Sequence, residues 1–394
     1  MKKLLLLVLI LSLIGCTEKK MHSLELDRID LKEAKMLDEL FFEADLDSIE
    51  YILLEMTPDG ESSINNILDY CVTNDYIFIH SSKKGGILQF NRSGKFIRHF
   101  AHKGDGPGET ISINSISANE EKEELYISQL STTLVYDFHG NYLKTIKISR
   151  LTSSQYYLKN NLWIETGKLF LPINYPRMIG LGIFNLDGDT IDIRNNFVNE
   201  EILSADITGI INSYLISGIS NNYLSYISLS DTIFSLSSKG IEPVYEINTE
   251  RTIEAQKELS HFRSDNMIEN NFLIHDFFET TDYFYVRVLY NSNMYIYSYN
   301  KKNKQTAGML SKLDPFEMME YNRNLSLIGL KSLYNNNIPV WISKMYWDKK
   351  LLVQFNTASE ILYLKENGIL NNPEGEIKKV NEDSNPLIII YHLK

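Results

Sequence analysis

The chain has 394 residues, 43% of them hydrophobic and 11% aromatic, with 24 Tyr, only 9 Pro and a formal charge of −12. This composition excludes disorder as the main state and suits a strand-rich globular protein, because Tyr, Phe and Ile favour pleated, half-buried surfaces. The acidic balance argues against a nucleic-acid partner, since such binding relies on clustered Lys and Arg that neutralise phosphates.

Met1-Lys2-Lys3 is a short basic start, Leu4 to Leu13 is an apolar run broken only by Ser12, and Leu13-Ile14-Gly15-Cys16 closes it. Residues 1–15 read as a signal peptide, too short to span a bilayer as a mature helix. The closing four residues resemble a bacterial lipobox. That resemblance implies a diacylglycerol anchor on Cys16, which would become the first residue of the mature protein. Residues 16–45 are charged and mixed, as expected of a lipidated tether and lead-in segment. The second cysteine, Cys71, sits in the apolar run Ile67-Leu68-Asp69-Tyr70-Cys71-Val72. It is expected to be a buried small hydrophobe rather than a nucleophile, because reactive thiols occupy accessible, electropositive sites.

From residue 46 onward a strand–turn–strand unit recurs. Its copies are Phe90-Asn91-Arg92-Ser93-Gly94, Tyr136-Asp137-Phe138-His139-Gly140, Phe184-Asn185-Leu186-Asp187-Gly188 and Ser235-Leu236-Ser237-Ser238-Lys239-Gly240. Looser copies follow at Tyr299-Asn300-Lys301-Lys302-Asn303 and Tyr363-Leu364-Lys365-Glu366-Asn367-Gly368. The first four glycines are spaced by 46, 48 and 52 residues, a period that indicates a radial array of multi-stranded units. Gly or Asn in each turn permits the positive φ that a tight hairpin needs. Six turns predict six antiparallel blades with strands A to D, over residues 46–394.

Most strands follow directly from the alternation. Three readings matter below: Tyr157 to Glu165 as strand A and Lys168 to Pro172 as strand B of blade 3, and Glu360 to Leu364 as strand C of blade 6 after Val340 to Lys344 and Lys350 to Phe355. Helical periodicity is expected only in two insertions, Thr252 to Phe262 and Phe316 to Leu333. An open ring would leave exposed strand edges. The early strand Ser48 to Glu55 is therefore expected to close the sixth blade, with Leu387 to Tyr391 packed in the same sheet.

Three stretches together carry a wider resemblance: Asp47 to Glu55, the loop Gly104-Asp105-Gly106-Pro107-Gly108-Glu109 after the first blade, and Ser384-Asn385-Pro386-Leu387. In combination they resemble a family of six-bladed β-propeller lipoproteins of bacterial envelopes, with connections similar to NHL-type repeats. The resemblance implies an all-β propeller of four-stranded blades with short helical insertions, lipid-anchored in the cell envelope at the outer membrane, with the periplasmic or surface face left open.

The sequence carries little catalytic chemistry. The GDGPGE loop lacks the GK[ST] continuation and strand-to-helix setting of a phosphate cradle, so an interblade turn is its expected role. Asp105 and Glu109 lack EF-hand spacing. Neither an HExxH helix nor a GxSxG elbow occurs among the 394 residues. No cofactor is expected, with Ca or Zn left open. His80 at the end of a B strand and His102 in a D-to-A loop would share one ring face. The B-to-C loops add Tyr175, Arg177 and Tyr290, and Trp347 lies near the inner strands of the sixth blade. These six are the candidate ligand-binding residues, because loops on a rigid scaffold commonly carry function. Trp341 is expected to pack between blades. The favoured reading is a monomeric, non-catalytic envelope lipoprotein that binds a partner protein, glycan or peptide over its loop face. The alternative is a metal-dependent lyase, lactonase or hydrolase with its site at the propeller axis.

Overall fold

A computed structural model describes residues 26–82, 85–147, 154–158, 162–166, 168–169, 179–185, 187–195, 211–217, 223–227, 230–249, 272–314, 325–334, 336–370 and 373–394. Within them the chain forms six mostly antiparallel blades in a ring. In blade 1, Ile67–Val72, Tyr76–Ser81, Ile87–Asn91 and Phe96–Phe100 run outward from the axis as A to D. Blade 2 repeats this with Ser115–Asn119, Glu124–Ser128, Thr132–Asp137 and Tyr142–Lys147. Blade 3 uses Ser154–Leu158, Leu162–Thr166, Ile179–Asn185 and Thr190–Asn195, and blade 4 Ile211–Ser217, Tyr223–Ile227, Thr232–Ser237 and Gly240–Asn248. Blade 5 is Leu273–Glu279, Tyr283–Tyr290, Asn293–Asn300 and Gln305–Leu310.

Each blade is buried on both faces, which is why its inner strands read as apolar runs instead of a clean alternation. In strand B of blade 1, Ile77 and Ile79 turn towards blade 6 while Phe78 turns towards blade 2. The period of two along a strand thus serves two interfaces at once. Six apolar clusters result, one at each blade junction. Tyr126, Val135 and Trp163 join blades 2 and 3, for example, and Leu158, Ile183, Phe234 and Leu236 join blades 3 and 4.

Blade 6 is composite. Its order is Lys344–Tyr346, Leu351–Asn356, Leu387–Leu393 and Leu46–Leu53. The N-terminal strand is therefore the outer strand, paired antiparallel with the C-terminal strand from Leu387↔Leu53 to His392↔Ser48. This is the expected closure, reached with a different third strand. Glu360 to Leu364, read as strand C, belongs to helix α1 (Ala358–Glu366). Thr357 caps it: its hydroxyl accepts from Glu360 N, and the Glu360 carboxylate accepts from Thr357 N at 2.7 Å. This reciprocal capping box overrides the local β-propensity. Gly368 follows the helix C-terminus and closes no hairpin. A second short helix, α2 (Gly375–Lys379), leads towards the terminal strand.

Three further readings are corrected. Tyr157 to Glu165 is two strands, with Leu158 facing Leu162 across a hairpin. Lys168–Leu169 leaves blade 3 and pairs with Asn212 and Ile211 at the inner edge of blade 4. Val340 makes an isolated bridge to Leu330, and strand A of blade 6 begins only at Lys344. The insertion Thr252 to Phe262 lies outside the described residues. Of Phe316 to Leu333, one 3-10 turn at Leu325–Leu327 is described, followed by non-helical chain.

The described part of the segment read as a tether, 26–45, lies on the ring as a belt. Asp27–Asp30 adds a parallel strand to the outer edge of blade 4, and Lys35–Met36 does the same on blade 5. Phe41 then bridges Lys331 before the chain enters blade 6.

Candidate functional site

The B-to-C loops and D-to-A links share one face of the ring, and the A-to-B and C-to-D turns share the other. His80 and His102 both lie on the first face. His80 is buried, and its Nδ1 is 3.3 Å from Gly86 O. Burial lowers its pKa from the ordinary value, against the pull of backbone bonds to Gly86 and Ile113 and of the Asp69 charge. The ring ties the B-to-C turn of blade 1 to the link into blade 2. His102 is exposed, and its ring meets His99 edge-on at 4.3 Å. Nε2 of His99 lies 2.8 Å from Gly85 O, so His80 and His99 bracket the Gly85-Gly86 turn. A Cβ at Gly86 would stand 2.6 Å from Phe100 O, which accounts for glycine there.

Tyr290 ends strand B of blade 5 and stacks on Phe272 at 4.2 Å with an 8° interplanar angle. Its loop is a tight turn with positive φ at Asn291 and Ser292. Trp347 begins a 3-10 turn between strands A and B of blade 6, on the opposite face from His80, His102 and Tyr290. Tyr175, Arg177 and Cys16 lie outside the described residues. The structure thus brings His80 and His102 to one sector and separates Tyr290 and Trp347 from it. Trp341 is buried between blades, edge-on to Phe278 at 5.0 Å and 4.2 Å from the Arg287 guanidinium carbon. Cys71 is a free, buried thiol whose pKa is raised by burial.

The GDGPGE loop is held by its own glutamate. Glu109 Oε2 accepts from Gly106 N at 2.8 Å, and a Cβ on Gly104 would stand 2.1 Å from the same oxygen. Gly108, at φ +80°, packs on Tyr142, and its carbonyl accepts from the Tyr136 hydroxyl. The glycines make room for Glu109 and Tyr142, as an interblade link requires.

Sequence reasoning missed the residues that dominate this sector. At the axis, Lys344 of blade 6 reaches Asp69 of blade 1 at 2.5 Å, and the second Asp69 oxygen accepts from Ile116 N of blade 2 at 2.8 Å. One carboxylate therefore joins three blades. Beside it, Leu68 is 58% exposed, and Ile111 and Leu130 on the loops of blade 2 are 70% and 53% exposed. Ile111 N donates to the Gln129 side chain at 3.1 Å, which fixes Ile111 next to Leu130. The signal available was an acid inside an apolar strand, Leu68-Asp69-Tyr70, and an aliphatic residue in a two-strand loop, Gln129-Leu130-Ser131. Among the described residues, no group of three or more His, Cys, Asp or Glu side chains could hold a metal ion.

Comparison with known proteins places this architecture. A family profile described as "Domain of unknown function (DUF4934)" matches residues 26–392, from the start of the belt to the terminal strand. Among solved structures, a candidate exported protein from Bacteroides fragilis aligns over 93% of this chain and 99% of its own, at TM-score 0.62 and 16% identity. A DUF4221 member from Bacteroides vulgatus aligns over 69% of this chain and 87% of its own, at TM-score 0.41 and 10% identity. A protein of unknown function from Bacteroides thetaiotaomicron aligns over 87% and 75%, at TM-score 0.40 and 7% identity. No curated protein matches the chain. Among the described residues, no helix is long and apolar enough to cross a membrane.

Proposed function

The chain belongs to the DUF4934 family, a domain of unknown function, and we propose that it is a cell-envelope binding protein that docks a partner protein on the loop face of blades 1 and 2. The observation that carries this reading is the exposure of Leu68, Ile111 and Leu130 on one sector of that face. Exposed aliphatic groups grouped on a rigid scaffold mark interaction surfaces. Asp69, held by Lys344 and Ile116 N, fixes the strand that presents Leu68.

The anchor is part of the same proposal. Lys2, Lys3, the apolar run and Gly15-Cys16 support lipidation of Cys16, and the fold similarity to a candidate exported protein supports export. The ten residues from Thr17 to Leu26 reach at most about 35 Å when extended, so the anchored ring stays close to its membrane. A Cys16→Ser variant is expected to move from the outer-membrane fraction to the soluble envelope fraction; unchanged membrane association would refute the anchor.

A photo-crosslinking residue at position 111 tests the docking surface in cells. One envelope protein is expected to be captured from position 111 and lost when Leu68 and Leu130 become Asp. Equal capture from position 121, on the opposite face, would overturn the reading, as would capture of nothing from either position. Retention on immobilised glycans that depends on Leu68 and Leu130 would assign the surface to a carbohydrate instead.

A further inference from the structure

Blades 4 and 5 do not end at their own outer strands. Blades diverge away from the axis, so a wedge opens between neighbouring rims, and in this sector the belt fills it. Asp27–Asp30 lies parallel on Gly240–Asn248, with Ile29 opposite Ile247. Ile29 and Leu31 are buried in the wedge with Tyr245, Ile247, Tyr297 and Tyr299. Asp27, at the start of the strand, pairs with Lys304 of blade 5 at 2.5 Å. An extended segment that carries an acid and two aliphatic residues at every second position, as Asp27, Ile29 and Leu31 do, is therefore an occupant that this scaffold already accommodates.

The rims of blades 2 and 3 form the corresponding wedge. Strand D of blade 2 ends its sheet at Tyr142–Lys147. Lys144 and Ile146 pair with Val135 and Thr133, on the blade face that packs against Trp163 of blade 3. On the other wall, Asp192 turns towards blade 4, where it accepts from Ile241 N at 2.9 Å. Ile193, opposite Gly182, consequently faces blade 2 and is 38% exposed; Ile191, the bulged residue between Thr190 and Asp192, is 46% exposed. The wedge has aliphatic side chains on both walls, Lys144 on the pairing strand itself, and an edge strand that the described residues leave without a further strand. Exposed edges of this kind pair readily with extended chains.

We propose that the wedge between blades 2 and 3 binds an extended segment of a partner polypeptide, with an acid and aliphatic residues at every second position, as a parallel strand on Tyr142–Lys147. Its aliphatic residues rest on Ile146 and Ile193, and one of its acids meets Lys144 on the strand it pairs with. The site lies on the rim and is separate from the loop face.

The probe is a fluorescent peptide with the sequence of residues 26–37, added to the full mature protein and read by anisotropy. Saturable one-to-one binding is expected, weakened at least 30-fold in the Ile191→Asp/Ile193→Asp variant. Lys144→Glu is expected to weaken binding several-fold, with recovery when the peptide carries Lys in place of its first Asp. Both isoleucines are exposed, so the melting temperature of the double variant should match the parent; if it does not, the Lys144 charge exchange decides alone. Absence of binding, or equal binding by the isoleucine variant, overturns the proposal. Concentration-dependent dimerisation that Ile193→Asp abolishes, without peptide binding, assigns the wedge to a second copy and overturns it as well.

Discussion

Asn385 and Ile64 meet across the joint where the ring closes: the Asn385 side-chain oxygen accepts from Ile64 N at 2.9 Å. Its amide donates to Glu55 O at 2.7 Å and Ser62 O at 2.9 Å. One buried side chain thus staples the segment leaving the N-terminal strand to the C-terminal strand. Replacing it with Ala strands the Ile64 donor and the Ser62 acceptor, while Glu55 O keeps the Ser62 hydroxyl, at about 1–3 kcal/mol for a buried unpaired group. Asn385→Ala is expected to lose about 2–5 kcal/mol in urea unfolding. A loss below about 1 kcal/mol would show that the joint is held elsewhere.

Gly94 and Gly188 occupy matching hairpin turns, at φ +81° and +86°. They differ in surroundings: a Cβ on Gly94 would stand 2.4 Å from Leu53 O, whereas on Gly188 it would meet nothing within 4 Å. Gly188→Ala should cost only the left-handed backbone penalty, about 1–2 kcal/mol. Gly94→Ala adds a clash with the closing strand and is expected to cost at least about 2 kcal/mol more. Equal melting temperatures for the two variants would contradict the packing of blade 1 on Leu53.

These positions show what was legible. The turn glycines, the closing strand and the Ser384 to Leu387 stretch could be read locally, because positive φ, strand alternation and edge avoidance leave marks in short windows. Helix α1 hid behind Ile361-Leu362-Tyr363-Leu364, although Thr357 and Glu360 stood three apart as its start signal. Lys344 and Asp69 are 275 residues apart, and no local pattern joins them. The belt strands and the exposure of Leu68, Ile111 and Leu130 likewise depend on how blades meet.

Glu360 should make stability depend on pH. Burial raises its pKa from 4.5 to about 7, against bonds from Ser326 and Thr357. Because the folded-state value is the higher one, ionising Glu360 opposes folding. The cost is absent below about pH 4.5, grows as pH rises and is complete above about pH 7, where the shift corresponds to about 3 kcal/mol. Relative to Glu360→Gln, the parent should therefore lose about that much stability between pH 4.5 and 8 in urea titrations. Parallel pH profiles would exclude a raised Glu360 pKa.

The Asp69–Lys344 pair is mostly shielded, so Lys344→Met leaves a carboxylate uncompensated beside Ile116 N. A loss of about 3 kcal/mol is expected. Adding Asp69→Asn should recover part of it, giving a coupling of at least 1 kcal/mol in a double-mutant cycle. Additive losses would mean that the pair does not act as a unit.

The loop-face claim is tested most directly by affinity for the protein captured from position 111. Burying an aliphatic side chain contributes about 1.5–3 kcal/mol, so removing three should weaken binding by at least about 100-fold. Isothermal titration of that partner with the Leu68→Asp/Ile111→Asp/Leu130→Asp variant, checked for an unchanged melting temperature, is predicted to show this loss, while Ile191→Asp/Ile193→Asp binds as the parent does. Parent-like affinity in the triple variant would contradict docking on the loop face of blades 1 and 2.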